Sequence, residues 1–195
     1  MASPFQSIGV FCGAHSGSNP NFELAARETG SVLAERGITT VYGGGSVGLM
    51  GAVADGALSK DGHVIGVITT FLESRELGHT KIAELEVVET MLERKQRMAD
   101  LSDAFIVLPG GIGTLDELFE MLVWSRLFVH DKPIGLLNVD GFYDELIAFT
   151  HTTQVEADFI KSEEAANLLY SDDLGDLLSQ LESAASKTPS SPYRK

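Results

Sequence analysis

The chain has 195 residues, 44% of them apolar, and its 14 lysines and arginines against 28 aspartates and glutamates give a formal net charge of −14. This length and composition suit one globular domain with a hydrophobic core and exclude a disordered or collagen-like chain. The negative charge disfavours nonspecific binding to nucleic acid, which is itself a polyanion.

A single cysteine, Cys12, excludes a disulfide within the chain and a metal cluster built from its own cysteines. Residues 1–6 lack the basic and apolar regions of a secretory signal, and no stretch approaches the roughly 18 apolar residues of a membrane span. We therefore expect a cytoplasmic protein that binds neither membranes nor nucleic acid.

Short apolar or β-branched runs alternate with helical patterns along the chain, which is typical of βαβ units and a parallel sheet. Strands are predicted at 6–12, 39–42, 63–68, 104–108, 133–137 and, at an edge, 168–170. Helices are predicted from Pro20, after the capping Asn19, to about 37, and at about 91–102, 143–155 and 174–184, with two more that follow the glycine clusters and end at about 58 and 128. Residues 69–86 are predicted to be a long connection that forms a lid or rim.

The expected fold is therefore α/β, with a Rossmann-like, doubly wound parallel sheet flanked by helices. Neither an internal repeat nor a linker divides the chain, so residues 1–182 are predicted to form a single domain. Residues 183–195 combine serine, proline and basic side chains with almost nothing apolar, and are predicted to be a disordered tail.

Two glycine clusters, at 43–51 and 110–113, each lie between a predicted strand and a predicted helix. Backbone N–H groups and the positive end of the helix dipole meet at such a position, so both clusters are predicted to bind phosphate; glycines that only permit tight turns are the alternative. Gly43, Gly45 and Gly48 also match the G-x-G-x-x-G pattern of dinucleotide-binding proteins. Since no acidic residue ends the next strand to hold a ribose, a mononucleotide is favoured over NAD.

Two basic residues on the predicted helix after Thr90 are candidates for the site. Arg94 lies on the apolar stripe with Met91 and Met98, and its planar fork of donors suits a phosphate or a carboxylate beside it. Lys95 lies at the flank of the same stripe, where it either keeps its charge in water or binds the ligand.

Glu117 follows the second glycine cluster and has two interpretations. In the first, Thr114 and Glu117 form a capping box without any chemical role. In the second, Glu117, which shares one side of an otherwise apolar helix with Glu120 and Trp124, stabilises developing positive charge or accepts a proton from water.

Several motifs resemble those of the Lonely Guy (LOG) family, the cytokinin riboside 5′-monophosphate phosphoribohydrolases, which are often mislabelled as lysine decarboxylases. The family's P-G-G-x-G-T-x-x-E stands at 109–117, its M-x-x-R-K at 91–95 and its Y-G-G-G-x-x-G-L-M-G at 42–51. Shorter similarities at 10–13 and 132–138 extend the resemblance over about residues 8–178. No lysine lies in a recognisable pyridoxal phosphate context, so lysine decarboxylation has no support in the sequence.

The resemblance implies hydrolysis of the N-glycosidic bond of a purine nucleoside 5′-monophosphate, to a free base and ribose 5-phosphate, without a metal or cofactor. It also implies that Arg94 and Glu117 are the catalytic pair and that the protein is a homodimer. The residues implied to bind the substrate or its phosphate are Gly44, Gly45, Lys95, Gly110, Gly111, Gly113 and Thr114, with Met91 and Glu120 in support. A carrier that binds a nucleotide or cofactor without turnover is the alternative on this scaffold.

The chain departs from the family pattern at two places. The family commonly has I-P where this chain has Ile68 and Thr69, and T-W-x-Q-L-G where this chain has residues 123–128. The second departure introduces Arg126 and Phe128, and it bears on substrate preference and oligomeric size more than on the type of reaction.

Overall fold

The computed structural model describes residues 3–76 and 78–186, in which seven strands form one sheet in the order β4-β3-β2-β1-β5-β6-β7. Every neighbouring pair of strands is parallel. The strands are β1 (Ser7–Phe11), β2 (Thr39–Tyr42), β3 (Val64–Thr69), β4 (Glu84–Val88), β5 (Ala104–Val107), β6 (Ile134–Leu137) and β7 (Leu168–Ser171).

Helices connect the strands and cover both faces of the sheet. They are α1 (Pro20–Glu35), α2 (Gly48–Leu58), α3 (Thr70–Glu76), α4 (Met91–Asp100), α5 (Ile112–Arg126), α6 (Asp144–Ala148), α7 (Gln154–Glu156), α8 (Ser162–Ala165) and α9 (Leu174–Ser186). A 3₁₀ turn (Val139–Gly141) precedes α6, and a π-helical turn (Phe149–Thr153) joins α6 to α7.

The order of the strands reverses beside β1. The chain first moves outward from β1 through β2 and β3 to β4, and then returns to β5 on the other side of β1. Ile8 in β1 pairs with Thr40 of β2 on one side and with Ala104 of β5 on the other. The loops that follow β1 and β5 therefore diverge at the carboxyl edge of the sheet, and this is where open α/β sheets form a ligand crevice.

Two hydrophobic layers hold the helices against the sheet. On one face Ile8 and Ile106 of the sheet share a buried layer with Leu33 of α1 and with residues of α2 and α9. On the opposite face Phe105 and Leu118 belong to the layer under α4 and α5. Strands buried on both faces explain why continuous apolar runs such as 104–108 are recognisable in the sequence.

The six predicted strands are all confirmed, as are the cap of α1 by Asn19 and the capping box of α4. The expectation that residues 69–86 are only a connection was wrong, because α3 and the start of β4 lie there. The edge strand β4 has one neighbour and is partly exposed, so it lacks the apolar run that marks a buried strand. The helix predicted at 143–155 is interrupted by the π-helical turn.

The last described helix, α9, continues to Ser186, so residues 183–186 of the predicted disordered tail are helical. The rest of that tail, 187–195, lies outside the described residues. None of the helices in the described part of the chain is long and apolar enough to cross a membrane.

The departure from the family pattern at the end of α5 lies in the turn that terminates this helix. Phe128 has φ +60°, in the left-handed region that favours glycine, and its N–H donates to the Ser125 carbonyl at 3.1 Å. The N–H of Val129 donates to the Trp124 carbonyl at 2.9 Å, which completes a Schellman turn. Phe128 thus occupies the position at which the family pattern has glycine.

Candidate active site

A cavity of about 440 Å³ opens at the carboxyl edge of the sheet, where the loops after β1 and β5 diverge. Its volume is in the range of pockets that enclose small molecules. The described residues that line it are 12–17, 49–50, 109–111 and 113–114, together with Val10, Phe22, Gly43, Leu72, Met91, Arg94, Glu117 and Phe142. The structure therefore brings the predicted catalytic pair and the second glycine cluster into one cavity.

Arg94 is held in this cavity by three partners from three separate parts of the chain. Its Nε donates to the Val67 carbonyl of β3 at 2.9 Å, and its Nη2 donates to the Gly43 carbonyl at 3.1 Å. Its Nη1 lies 3.3 Å from Oε1 of Glu117. A guanidinium has five N–H donors, and these bonds to described residues occupy three of them. The side chain is only 6% exposed, and two of its N–H donors are not used by these three bonds.

Glu117 lies in the second turn of α5 and faces Arg94. The helix begins at Ile112 with Gly111 as its N-cap, so Thr114 is the third helical residue and cannot be the cap. The predicted capping box of Thr114 and Glu117 was therefore the wrong interpretation. The Glu117 side chain is 8% exposed, and the guanidinium of Arg94 supplies the positive charge that a buried carboxylate requires.

The second glycine cluster ends at the amino terminus of α5, where it lines the cavity. No side chain among the described residues caps this terminus, so its N–H groups and the helix dipole are open to an anion. Apart from the adjoining residues and the backbone of α5 itself, a Cβ added at Gly111 or Gly113 would meet no described atom within 4 Å, and neither residue has a positive φ. The fold itself therefore does not require glycine at these two positions, and the backbone there is open to close approach by a ligand.

The first glycine cluster contributes in a different way from the one predicted. Gly43 lines the cavity, but Gly44 and Gly45 are not among the described residues that do so. Gly44 has φ +77°, and its carbonyl accepts a hydrogen bond from the backbone N–H of His79 at 3.0 Å. Gly45 forms an isolated bridge with Gly78. This cluster thus shapes the turn after β2 and anchors the segment between α3 and β4.

Lys95 and Glu120 are also absent from the described lining of the cavity, while Met91 is part of it. The Nζ of Lys95 lies 2.9 Å from Oδ2 of Asp116 and 2.9 Å from Oε2 of Glu120. Burial lowers the pKa of Lys95, but the hydrogen bonds to the two carboxylates outweigh it and hold the pKa above its usual value. Lys95 is therefore a charged bridge between α4 and α5.

The loop after β1 lines the cavity at 12–17, although the sequence did not mark it as part of the site. Its position at the end of a central strand, with Gly13 and Gly17 in the turn, was the available signal. Burial of Cys12, together with the nearby charge of Glu117 and only partly offset by Arg94, raises the pKa of its thiol. The protonated thiol is a poor nucleophile. Among the described residues, no group of three or more His, Cys, Asp or Glu side chains is placed to hold a metal ion.

Comparison with known proteins gives one family and several relatives. The family described as "Possible lysine decarboxylase" matches residues 50–181. A relative from Oryza sativa subsp. japonica, named "Probable cytokinin riboside 5′-monophosphate phosphoribohydrolase LOGL5", is 45% identical over 181 residues, which are 93% of this chain and 73% of the relative. The Arabidopsis thaliana "Cytokinin riboside 5′-monophosphate phosphoribohydrolase LOG1" is 47% identical over 160 residues, covering 82% of this chain and 75% of the relative.

Solved structures that resemble this chain share its fold. The molybdenum cofactor binding protein from Rippkaea orientalis has a TM-score of 0.68 at 23% identity, with coverage of 91% of this chain and 95% of that protein. The molybdenum cofactor carrier protein from Chlamydomonas reinhardtii has a TM-score of 0.68 at 20% identity, with coverage of 92% and 98%. At these identities the likeness concerns the fold alone.

Proposed function

Because this chain belongs to the family of cytokinin riboside 5′-monophosphate phosphoribohydrolases, we propose that its cavity binds such a nucleotide and that Arg94 and Glu117 hydrolyse its N-glycosidic bond. The observation that carries this proposal is the buried Arg94–Glu117 pair, which faces the same cavity as the open amino terminus of α5. The products are the free base and ribose 5-phosphate.

The 5′-phosphate is assigned to the amino terminus of α5. Backbone N–H groups of the turn at 110–114 and the helix dipole provide fixed partial charges for it. Gly111 and Gly113 leave that backbone open on the side where a Cβ would otherwise stand. Since Glu117 is only one turn further along the same helix, a phosphate bound here anchors the sugar close to the carboxylate.

Glu117 acts on the anomeric carbon in this proposal. As the bond from C1′ to the purine nitrogen breaks, its electron pair leaves with the base and positive charge develops at C1′. The Glu117 carboxylate stabilises that charge and accepts a proton from the water that attacks C1′, while the departing base takes up a proton from solvent. Arg94 keeps the carboxylate in place through the contact at 3.3 Å and offers its remaining donors to the substrate.

The decisive experiment is an assay for base release by the purified protein. N6-isopentenyladenosine 5′-monophosphate and AMP are each supplied, and the free base and ribose 5-phosphate are separated by chromatography. We expect release from the first substrate and a loss of about 10²-fold or more in kcat for Glu117→Gln, which keeps the shape but not the charge. Glu35→Gln, on the exposed face of α1, is the matched control and should keep full activity.

The rates of base release from the two nucleotides show whether the protein prefers AMP or its N6-isopentenyl derivative. Binding of both nucleotides without release of base by the wild-type protein would contradict the proposal and favour a carrier. Full turnover by Glu117→Gln would leave hydrolysis in place but remove Glu117 from it.

We further propose that the protein is a homodimer in which α5 packs against α5 of a second copy. Ile112, Phe119, Val123 and the C-cap Leu127 fall on one side of this helix, which also carries the exposed Asp116, and are 88%, 38%, 51% and 65% exposed. An apolar stripe of this length on a helix is self-complementary across a twofold axis, so a second copy can cover it.

Light scattering at micromolar concentration tests the dimer. We expect twice the mass of the chain for the wild-type protein and the mass of a monomer for Val123→Glu. Leu24→Glu places the same charge on an exposed leucine of α1, outside the stripe, and should leave the dimer intact. A monomeric wild-type protein would refute this proposal.

We also propose that the protein does not bind nucleic acid and that it is located in the cytoplasm. The basic run at 94, 95 and 97 is neutralised, because Arg97 binds Glu86 at 2.6 Å in addition to the contacts of Arg94 and Lys95. The sequence has a single cysteine and so no disulfide within the chain, which suits a reducing compartment. Salt-sensitive binding to DNA, or recovery of the protein outside the cytoplasmic fraction of its cells, would contradict them.

A further inference from the structure

Two neighbouring ionic contacts join α4 to α5 beside the catalytic pair. Arg94 meets Glu117, and the next residue, Lys95, meets both Asp116 and Glu120. Lys95 and Asp116, which adjoin Arg94 and Glu117 in the sequence, are therefore themselves in contact. We name Lys95, Asp116 and Glu120 the interhelix clamp.

The environment of Lys95 distinguishes the clamp from an ordinary surface ion pair. The side chain of Lys95 is 13% exposed and that of Glu120 is 19% exposed, while Asp116 is 56% exposed. Asp116 and Glu120 are one helical turn apart, so one ammonium reaches both carboxylates from the same side of α5. An ion pair that is largely withdrawn from water interacts more strongly than an exposed one, and losing one partner leaves the other charge uncompensated.

The clamp does not touch the space that a substrate occupies. None of its three residues is among the described residues that line the cavity, although Arg94 and Glu117 both are. An ammonium that already binds two carboxylates at 2.9 Å is also poorly placed to bind a phosphate. The position of Lys95 therefore points to an effect on the catalytic pair and not on the affinity for the nucleotide.

We propose that Lys95 is a positioning residue that clamps α4 to α5 and thereby fixes the separation of Arg94 from Glu117 during hydrolysis. The proposal rests on the proposed function, because the alignment matters only where this pair performs the chemistry. Without the clamp the first two turns of α5 are tied to α4 by fewer contacts, and misplacement of a catalytic group by about 1 Å costs on the order of 10²-fold in rate.

The kinetic test compares Lys95→Met with two further variants. We expect Lys95→Met to lower kcat at least about tenfold, with KM and the affinity for AMP within about twofold of the wild type. Lys95→Arg keeps a cation that reaches the same carboxylates and should recover part of kcat. Arg97→Met removes an ion pair on the same helix, with Glu86 of β4, and serves as the matched control with unchanged kcat.

A second measurement does not depend on turnover. Hydrogen exchange of the backbone amides at 112–119 should accelerate about tenfold in Lys95→Met and stay unchanged in Arg97→Met, because only the first substitution releases the start of α5. Glu120→Gln should reproduce both effects, and its combination with Lys95→Met should add little to either. If Lys95→Met does not fold, Glu120→Gln alone provides the test.

Three outcomes would overturn the clamp. The first is weaker binding of AMP by Lys95→Met with kcat unchanged, since that marks Lys95 as a phosphate ligand. The second is unchanged kcat and KM, and the third is unchanged exchange at 112–119. Failure of the proposed function is distinct, because then the wild-type protein itself releases no base, and the exchange experiment still decides whether the clamp exists.

Discussion

Replacing Gly43 with alanine places a methyl group where the Arg94 guanidinium lies. The Cβ of such an alanine would be 2.1 Å from Nη2 of Arg94 and 2.9 Å from the sulfur of Met50. Both atoms belong to side chains, so the methyl group has to displace the Arg94 guanidinium from its three contacts but meets no backbone atom among its nearest neighbours. The substitution therefore tests what the position of Arg94 contributes to activity with little disturbance elsewhere.

The size of the effect follows from the contacts of Arg94. Non-bonded carbon and nitrogen atoms stay about 3.4 Å or more apart, so Nη2 has to move by roughly 1 Å or more. That movement disrupts the bond from Nη2 to the Gly43 carbonyl at 3.1 Å and shifts the guanidinium relative to Glu117, whose Oε1 now lies 3.3 Å from Nη1. We expect kcat/KM to fall by about 10²-fold and the free energy of unfolding by no more than about 1–2 kcal/mol.

The assay measures base release from N6-isopentenyladenosine 5′-monophosphate by Gly43→Ala, Arg94→Ala and the double variant, with thermal unfolding of each. If Gly43→Ala acts only by displacing Arg94, the double variant should have a kcat/KM within about threefold of that of Arg94→Ala. The reason is that the methyl group meets no guanidinium once Arg94 is an alanine. Losses that multiply in the double variant, or full activity of Gly43→Ala, would refute the reasoning.

Three further predictions concern the second glycine cluster, the end of α5 and pH. Gly113→Ala meets no described atom within 4 Å, so we expect it to stabilise α5 by about 0.5–1 kcal/mol, measured by thermal unfolding, yet to raise KM about tenfold where the phosphate approaches the backbone. Unchanged KM would argue against phosphate binding at this turn. Phe128→Gly removes a left-handed phenylalanine and should raise Tm by about 2–4 °C, whereas Leu127→Gly, one residue earlier with φ −84°, should lower it. A lower Tm for Phe128→Gly would show that contacts of the Phe128 ring stabilise the protein by more than its left-handed backbone destabilises it. Burial, with help from the charge of Lys132, lowers the pKa of His130 from 6.5 to about 4, so the unfolded chain binds more protons between these values. The free energy of unfolding should therefore fall as pH drops from about 6.5 to 4, and denaturant titrations of His130→Gln should show a smaller fall than the wild type.

The sequence alone determined the features that depend on neighbours along the chain. Alternating apolar runs and helical patterns gave the parallel sheet, because strands buried on both faces must be continuously apolar. The caps at Asn19 and Thr90 were legible because each cap forms with residues two or three positions away. The edge strand β4 was missed because it has one neighbour and keeps charged side chains at its surface.

The pattern of Thr114 and Glu117 shows where local reasoning ends. Its spacing fits a capping box as well as a catalytic carboxylate, and the sequence cannot choose between them. The choice is made by Arg94, which lies 23 positions away in the chain and reaches Glu117 only because α4 and α5 pack side by side.

The same limit applies to the remaining site residues. Lys95 is a basic residue on the flank of a helix until the fold places Asp116 and Glu120 within 2.9 Å of it. Gly43 looked like part of a phosphate loop, but its contact is the guanidinium of a residue 51 positions away. The sequence determined which chemical groups are available and which elements carry them. Only the tertiary structure decided which groups meet, because charged side chains pair across space, with partners that no local spacing encodes.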